Sequence, residues 1–409
     1  MPQRYSDVMA DVRTVLNNPF EPGSGAVPPI WVGRDDELAD ITSRLVPRRR
    51  AGLFERGRTY LGDPGLGKSV LVNRIAEERA WAGDLVAGPL RMALGRDPLA
   101  ALADVLAPLV PAGERVAGNV TSALERVREV GLLGARVGMT VADEDRYASL
   151  SDLVEGLAVL ASETDRLLVV RVDEVQNLSG AGLSQLLTIL GDALEMQLPA
   201  TDVTGNRVME YAPVVVLLSG LPAFPERAAA AGATFSRRFA TTYLDPFTDD
   251  EVRAALAFAF ADGYEVLTDD GPALVHLEVA AREALVEVCL GDPFLFQLAG
   301  AAAWDASTGA VLTAADVRTG WDRVRREVEA HVRQRTAGLT ELQLSVLTAA
   351  ARTGGEQADG TTLAQAVGRR ASSDIGSTLQ ALVTKRLLAL GPDGYRVVSR
   401  AVARNLAGG

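Results

Sequence analysis

The chain has 409 residues, 48% of them hydrophobic and 23% charged, and a formal net charge of −12. That length exceeds what one core spans, and the composition is that of an ordinary soluble protein, so two or three domains are expected. With no run of 18 uncharged apolar residues, a single cysteine (Cys289) and two distant histidines (His276 and His331), the sequence argues against a membrane span, a disulfide framework, a histidine metal site and a Ser-His-Asp triad, and it fits a cytoplasmic location. The charge is uneven: residues 331–409 hold 10 basic and 5 acidic side chains, whereas the body before them is strongly acidic. Distribution matters more than the sum when a polyanion is considered as a partner.

In chain order, the polar, periodic stretch "MPQRYSDVMADVRTVL" is no signal peptide, and the Pro- and Gly-rich residues 17–30 read as an extended arm, which sets an arm over 1–29. A helix is predicted over "VGRDDELADITSRL", with Leu38, Ile41 and Leu45 on one face and Asp35, Asp36 and Glu37 at the end where the helix dipole favours acids. "RTYLGDPGLGKSVLVNRIAEERAW" then runs strand, glycine turn, helix, with Val70, Leu71, Ile75 and Ala76 as the apolar stripe. Residues 84–166 alternate strand-like and helical segments and carry no recognisable chemistry. "RLLVVRVDE" and "APVVVLLSG" read as strands buried on both faces, joined by the helix "AGLSQLLTILGDALEMQL". Strands alternating with helices imply an α/β fold with a parallel sheet, here over residues 30–245. From Thr248 the strand signal fades, and an all-α lid is expected over 246–335. Within 336–409, "LTELQLSVLTAAAR" and "TTLAQAVG" open with capping-box patterns, Thr340 with Gln343 and Thr362 with Gln365. A third helix, "SSDIGSTLQALVTKRLL", leads into two strand-like pieces around a Pro-Asp-Gly turn, an order that reads as a winged helix.

The chemistry starts at "GDPGLGKS". Lys68 and Lys385 are the two lysines among 41 basic residues, so Lys68 stands out against a strong arginine bias. Gly62, Gly67, Lys68 and Ser69 fit G-x-x-x-x-G-K-[ST], the phosphate loop of a P-loop NTPase domain. In such a loop, backbone N–H groups and the following helix N-terminus wrap a phosphate, the glycines let consecutive amides turn inward, and a compact ammonium bridges phosphate oxygens where a wide guanidinium does not fit. The candidate binding set is therefore Gly62, Asp63, Pro64, Gly65, Leu66, Gly67, Lys68, Ser69 and Val70. Ser69 is the candidate Mg²⁺ ligand, with Asp173 behind it through the ion's water and Glu174 polarising the attacking water. Read alone, Asp173 and Glu174 are two solvated acids at a strand end; the phosphate loop changes that reading. Ser219, at the end of the next strand, is either a turn serine or a polar group for the γ-phosphate or the attacking water. Arg237 and Arg238 in "FSRRF" are either solvated or salt-bridged, or one of them is an arginine finger offered to a neighbouring subunit, which requires a homo-oligomer.

These residues, taken in order, resemble the AAA+ and STAND ATPases near the origin-recognition initiators, archaeal-type ATPases and transposition-helper ATPases. The carriers are "VGRDDEL", "GDPGLGKS", "VVRVDEVQ", "LLSG", "FSRRF" followed by "LDPFTDDEV", "GDPFLFQLAG" and the C-terminal helices, over most of residues 30–409. The resemblance implies ATP and ADP as ligands with Mg²⁺, and places Val32, Gly33 and Arg34 beside adenine. Phe294 stands where initiator-like proteins put a basic residue, while Gly291, Asp292 and Pro293 look like the Gly-x-Pro of STAND switches, which implies slow turnover or nucleotide sensing with Pro293 at the nucleotide. The distance from Lys68 to Asp173 is long for the minimal fold, so residues 97–150 read as an insertion. In a winged helix, the third helix would offer Ser373, Ser377, Thr378, Gln380 and Lys385 to duplex DNA, with Arg369, Arg370 and Arg396 for phosphates; docking on a protein partner is the alternative. Ile375, Leu379, Leu382, Val383 and Leu387 read as its core. The sequence thus points to a slowly hydrolysing ATP switch, or else to a regulator that binds nucleotide without turnover.

Overall fold

The computed structural model describes residues 11–23, 25, 27–111, 118–130, 132, 143–178, 180–232 and 235–408. Met1–Ala10, on which part of the signal-peptide reading rests, lie outside the described residues. Two compact units divide the chain: Arg34–Gly62 with Lys68–Leu244, and Met1–Gly33 with Asp63–Gly67 and Asp245–Gly409.

The first unit begins with one helical stretch, α1 (Asp35–Asp40), a π turn and α2 (Val46–Arg50), which buries Ile41 and Leu45 as the periodicity predicts. Five strands form the main path of its sheet. They are β1 (Gly57–Leu61), β2 (Leu85–Val86), β4 (Leu168–Asp173), β7 (Val214–Gly220) and β8 (Phe239–Tyr243), in the order β2-β4-β7-β1-β8, with β3 (Leu90–Arg91) also on β4. Every pairing in this sheet is parallel. All residues of β1 and β7 are buried, as expected of strands covered on both faces, and each fully buried Val or Leu contributes about 1.5–3 kcal/mol. Between β1 and β2 runs α3 (Lys68–Trp81). Its buried stripe is Lys68, Leu71, Val72, Ile75 and Ala76, which corrects the expectation at Val70: the 3.6-residue period that carries Leu71 and Ile75 inward carries Val72, not Val70.

Helices α4 (Pro98–Leu106), α5 (Gly118–Glu129) and α6 (Asp143–Glu163) occupy the span read as an insertion. They share one core with the sheet, through Leu102, Leu106, Ala123, Val127, Leu153 and Leu157. Helix α7 (Gly180–Glu195) leads into an antiparallel hairpin absent from the sequence reading, β5 (Gln197–Thr201) and β6 (Arg207–Tyr211). Asp202 ties the turn, accepting from the Thr204 and Asn206 amides. Two short helices, α8 (Phe224–Ala230) and α9 (Phe235–Arg238), precede β8.

In the second unit the arm, from Val12, is built into the core rather than laid on it. Buried Arg13 pairs with Asp316 at 3.1 Å, and Phe20 packs edge-on to Phe296 over Gly300. Thr248 and Glu251 cap α10 (Asp249–Ala259) reciprocally. The expected all-helical lid needs correction here. β9 (Tyr264–Thr268) and β10 (Gly271–Leu277) form an antiparallel hairpin, and β11 (Val311–Leu312) joins β10 in parallel. Only Val266 and Val275 of the hairpin are fully buried, so its apolar signal is too sparse to read. Helices α11 (Val279–Cys289), α12 (Pro293–Trp304) and the 23-residue α13 (Ala314–Thr336) complete this part.

The C-terminal elements are α14 (Glu341–Ala351), α15 (Gly360–Ala366), α16 (Gly376–Thr384), the hairpin of β12 (Leu388–Gly391) and β13 (Gly394–Val397), and an unexpected α17 (Arg400–Ala407). The capping box of Thr340 and Gln343 is present. At α15 the cap is instead Asp359, whose carboxylate accepts from the Thr361 and Thr362 amides, so the helix starts earlier than the Thr362–Gln365 pattern suggests. Ile375, Leu379, Leu382 and Leu387 are core, with Val383 packed against it.

Candidate functional site

In a parallel sheet the carboxyl ends of neighbouring strands share one edge, where open α/β sheets place their ligands. The register sets Tyr60 beside Ser219 and Val172 beside Leu218, so the ends of β1, β4 and β7 are adjacent. Asp173 stands at the centre of this edge. Its carboxylate accepts from Ser69 Oγ at 2.7 Å, from Ser219 Oγ at 2.6 Å and from the Glu174 amide at 2.9 Å. Ser69, Asp173 and Ser219, each inferred from a separate stretch of sequence, are thus brought together. Ser219 is fully buried in β7 rather than in a turn. Lys68 is also buried, and its ammonium donates to the Gly62 carbonyl at 2.8 Å.

Glu174 is held differently. Its φ of 58° lies in the left-handed region, an unfavourable place for a residue with a Cβ and one found more often at functional sites than elsewhere. Its carboxylate accepts from the Gln176 side-chain amide and lies 3.7 Å from the Arg91 guanidinium on β3. Gln176 in turn accepts from the Leu221 amide at 3.1 Å, and a Cβ at Gly220 would meet Val175 Cγ2 at 2.6 Å and Gln176 Oε1 at 2.9 Å, so a larger residue there would press on both side chains. The sequence reading missed Gln176 and Arg91 as neighbours of Glu174. Arg91 gives no local signal, because β3 is two residues long and its register against β4 is a tertiary fact. Ser69 and Asp173 are hard oxygen donors at hydrogen-bond distance, and a site of one hydroxyl and one carboxylate, completed by water and phosphate, suits Mg²⁺. Among the described residues, no group of three or more His, Cys, Asp or Glu offers a metal cage.

The two arginines of "FSRRF" part company. Arg238 is committed to Asp192 at 3.0 Å and Glu195 at 2.9 Å and crosses Gly191, where a Cβ would meet its Cδ at 2.5 Å. That arrangement is the salt-bridged one of its two readings. Arg237 is exposed.

In the second unit, the loop segment Asp63–Gly67 meets a cluster that the sequence did not assemble. Gly65 and Gly67 have φ of 85° and 79°, the left-handed turns that the glycine pattern requires. The Pro64 carbonyl accepts from Arg335 Nε at 3.1 Å and Nη2 at 2.9 Å, and the Gly65 carbonyl accepts from the Phe294 amide at 3.2 Å. A Cβ at Gly65 would stand 2.4 Å from the His331 ring, which packs on Phe294 with centroids 4.5 Å apart. Asp292, 1% exposed, is bound by Arg335 at 2.7 Å and by His331 Nε2 at 3.1 Å, and it caps α12 through the Leu295 amide. Burial pushes the Asp292 carboxyl up, but Arg335 and the His331 hydrogen bond hold it below the usual range. Pro293 opens α12 beside this cluster, 3.9 Å from where a Cβ on Gly67 would lie. His331, isolated in sequence, is therefore not isolated in the fold. Phe294 offers no cation, and Arg335 approaches the loop from α13 instead.

Val32 is buried in the same unit. Gly33, at φ 58°, lies where a Cβ would meet Glu251 Oε1 at 2.7 Å, and Trp31 Nε1 donates to the Gly33 carbonyl at 2.7 Å, so the indole pins the arm. Arg34, at φ 67°, precedes α1. Of the residues expected to face DNA, Ser373, Ser377, Gln380, Arg369, Arg370 and Arg396 are exposed. Thr378 is buried, which removes it from that set, and Lys385 is half-buried, 3.5 Å from Gln343 Oε1.

Comparison with known proteins gives the fold a context. Residues 30–201 match the family described as AAA ATPase domain. No curated protein sequence matches the chain significantly. Among solved structures, a Walker-type ATPase of Pyrococcus abyssi is similar at a TM-score of 0.57 and 15% identity, covering 92% of this chain and 96% of the other. The ORC2 protein of Aeropyrum pernix in its ADP form is similar at a TM-score of 0.50 and 15% identity, covering 95% and 97%. At such identities the likeness speaks for the fold, which is that of P-loop NTPases.

Proposed function

We propose that the chain, whose residues 30–201 match the AAA ATPase domain family, is a slowly hydrolysing ATP switch whose nucleotide state is relayed to its C-terminal helices. The observation that carries this reading is the convergence of Ser69 and Ser219 on Asp173 at the carboxyl edge of the sheet. In it, the amides of the phosphate loop and the Lys68 ammonium hold the triphosphate, while Ser69 and Asp173 hold Mg²⁺. When bound, Mg²⁺ neutralises charge developing on the phosphate oxygens. Glu174 orients the attacking water and accepts its proton, and Gln176 and Arg91 restrain that carboxylate until water and substrate are in place. Ser219 holds the carboxylate oxygen of Asp173 that Ser69 does not take. Arg237, exposed, is the finger offered to a neighbouring copy. The C-terminal elements act as a winged helix on duplex DNA through Arg369, Arg370, Ser373, Ser377, Gln380, Lys385 and Arg396, in a segment with twice as many basic as acidic side chains.

Steady-state turnover of the purified chain, with and without duplex DNA, tests the reading. Hydrolysis that DNA stimulates and Glu174→Gln abolishes supports it; absence of turnover from a chain that binds Mg²⁺-ATP refutes the catalytic part. Mass measurement in ATP against ADP tests the finger, since action in trans requires nucleotide-linked assembly. A second reading is favoured by the Asp292, His331 and Arg335 cluster on the loop backbone: a regulator that binds ADP tightly and exchanges it without hydrolysis. Copurified ADP with negligible turnover would select it.

A further inference from the structure

A loop that turns its amides toward an anion must turn carbonyls the other way, and a carbonyl so directed away from solvent needs a donor. At Pro64 that donor is Arg335. Nε and Nη2 converge on the one oxygen, Nη2 also reaches Asp292 at 2.7 Å, and Nη1 donates to Ser399 Oγ at 2.8 Å. The planar fork of a guanidinium allows these partners at once, whereas an ammonium is a single point of charge. Arg335 is 7% exposed, and its charge is matched by Asp292, which α12 fixes by its own N-cap. Ser399 is buried and is itself the N-cap of α17, accepting from the Val402 amide at 3.3 Å. One side chain at the end of α13 therefore joins the loop backbone, the start of α12 and the start of α17.

We propose that Arg335 is a positioning residue for nucleotide binding: it sets the Pro64–Gly65 peptide so that the loop amides face the phosphates, and through Ser399 it links nucleotide affinity to the seating of α17. The proposal rests on the phosphate-binding reading of the loop. Linkage then requires the effect to run both ways, so that nucleotide steadies α17 and displacement of α17 weakens nucleotide binding.

The test uses the full chain, a fluorescent ADP analogue for affinity, and hydrogen exchange of the Arg400–Ala407 amides with and without ADP. Arg335→Lys keeps a cation beside Asp292 but loses the fork. It is expected to weaken ADP at least about tenfold, which is 1.4 kcal/mol, with kcat at saturating ATP within a few-fold of the parent and KM raised. Ser399→Gly removes the hydroxyl contact at an N-cap position where glycine is tolerated. It is expected to keep most of the affinity but to abolish ADP-dependent protection of α17. Parent-like affinity and KM in Arg335→Lys, or ADP-dependent protection retained in Ser399→Gly, would overturn the proposal while leaving the nucleotide site intact. Failure of the parent chain to bind the analogue would instead remove the site reading on which it rests.

Discussion

Asp173 and Asp292 each gather three hydrogen-bond donors, and the difference between the two sets separates a site from a latch. At Asp173 the donors are two hydroxyls and a peptide amide, all neutral, so the carboxylate keeps charge to offer an incoming cation. Around Asp292 they are a guanidinium, an imidazole and an amide, and its charge is already answered within 2.7 Å. A carboxylate with neutral donors costs little to leave open to solvent and metal, whereas one paired in the interior is held by its partner and would strand that partner if removed. On the proposed function, reactivity and rigidity thus fall on different aspartates.

The largest expected effect falls on chemistry at Asp173. Asp173→Ala is expected to lower turnover by about 10²–10³-fold, the scale seen when one group stabilising developing charge is removed. Its thermal midpoint should fall less than that of Asp292→Ala, because the donors it leaves are neutral groups rather than a buried guanidinium. The same protein should lose the Mg²⁺ dependence of nucleotide affinity, read by titration with and without the ion. A large drop in thermal midpoint would erase the contrast with Asp292.

Next in size is stability at the latch. Asp292→Ala leaves the Arg335 guanidinium buried without its carboxylate, and breaking such a pair from one side costs about 3–5 kcal/mol. Chemical denaturation should show it as a shift of the midpoint. Acid should find the same pair in the parent. With the folded carboxyl held below its unfolded value, the contribution is complete above about pH 4 and is lost as pH falls through the folded value. Scanning calorimetry should therefore show the parent losing more stability below pH 4 than Asp292→Asn, which has no proton to take up there.

The two aspartates also differ in how far the sequence announces them. Asp173 closes an apolar run and follows a phosphate loop, so local pattern and motif agree on it, and the parallel sheet, the loop glycines and Ser219 were legible for the same reason. Asp292 was visible only as part of a Gly-x-Pro likeness. Its partners lie 39 and 43 residues further on at His331 and Arg335, and neither the period of α13 nor any motif marks which face of that helix meets the loop. The β9–β10 hairpin and the cap at Asp359 escaped for related reasons: sparse burial leaves no alternation to read, and two plausible caps in sequence compete through geometry that only the fold decides.

Arginines 237 and 238 offer a smaller contrast of the same kind. Arg238→Ala should cost about 1 kcal/mol through its two partly exposed carboxylate partners, with turnover per folded molecule unchanged. Arg237→Ala should leave stability alone and lower only nucleotide-dependent assembly or its turnover. If Arg238→Ala abolishes turnover at full stability, the assignment of the pair is reversed.

The smallest effect is a labelling rate, and it reads the latch without altering it. Cys289 is fully buried, its carbonyl accepts from the Asp292 amide at 2.8 Å, and burial pushes its thiol up to about 11. Alkylation requires thiolate and access, so the native chain at pH 8 should label slowly, at a rate set by local opening rather than by reagent. Asp292→Asn weakens the hold on the segment that follows Cys289 and should speed labelling several-fold, whereas Asp173→Ala should leave it unchanged. Equal acceleration by both variants would mean that the two carboxylates stabilise one cooperative unit, and the separation of site from latch would fail.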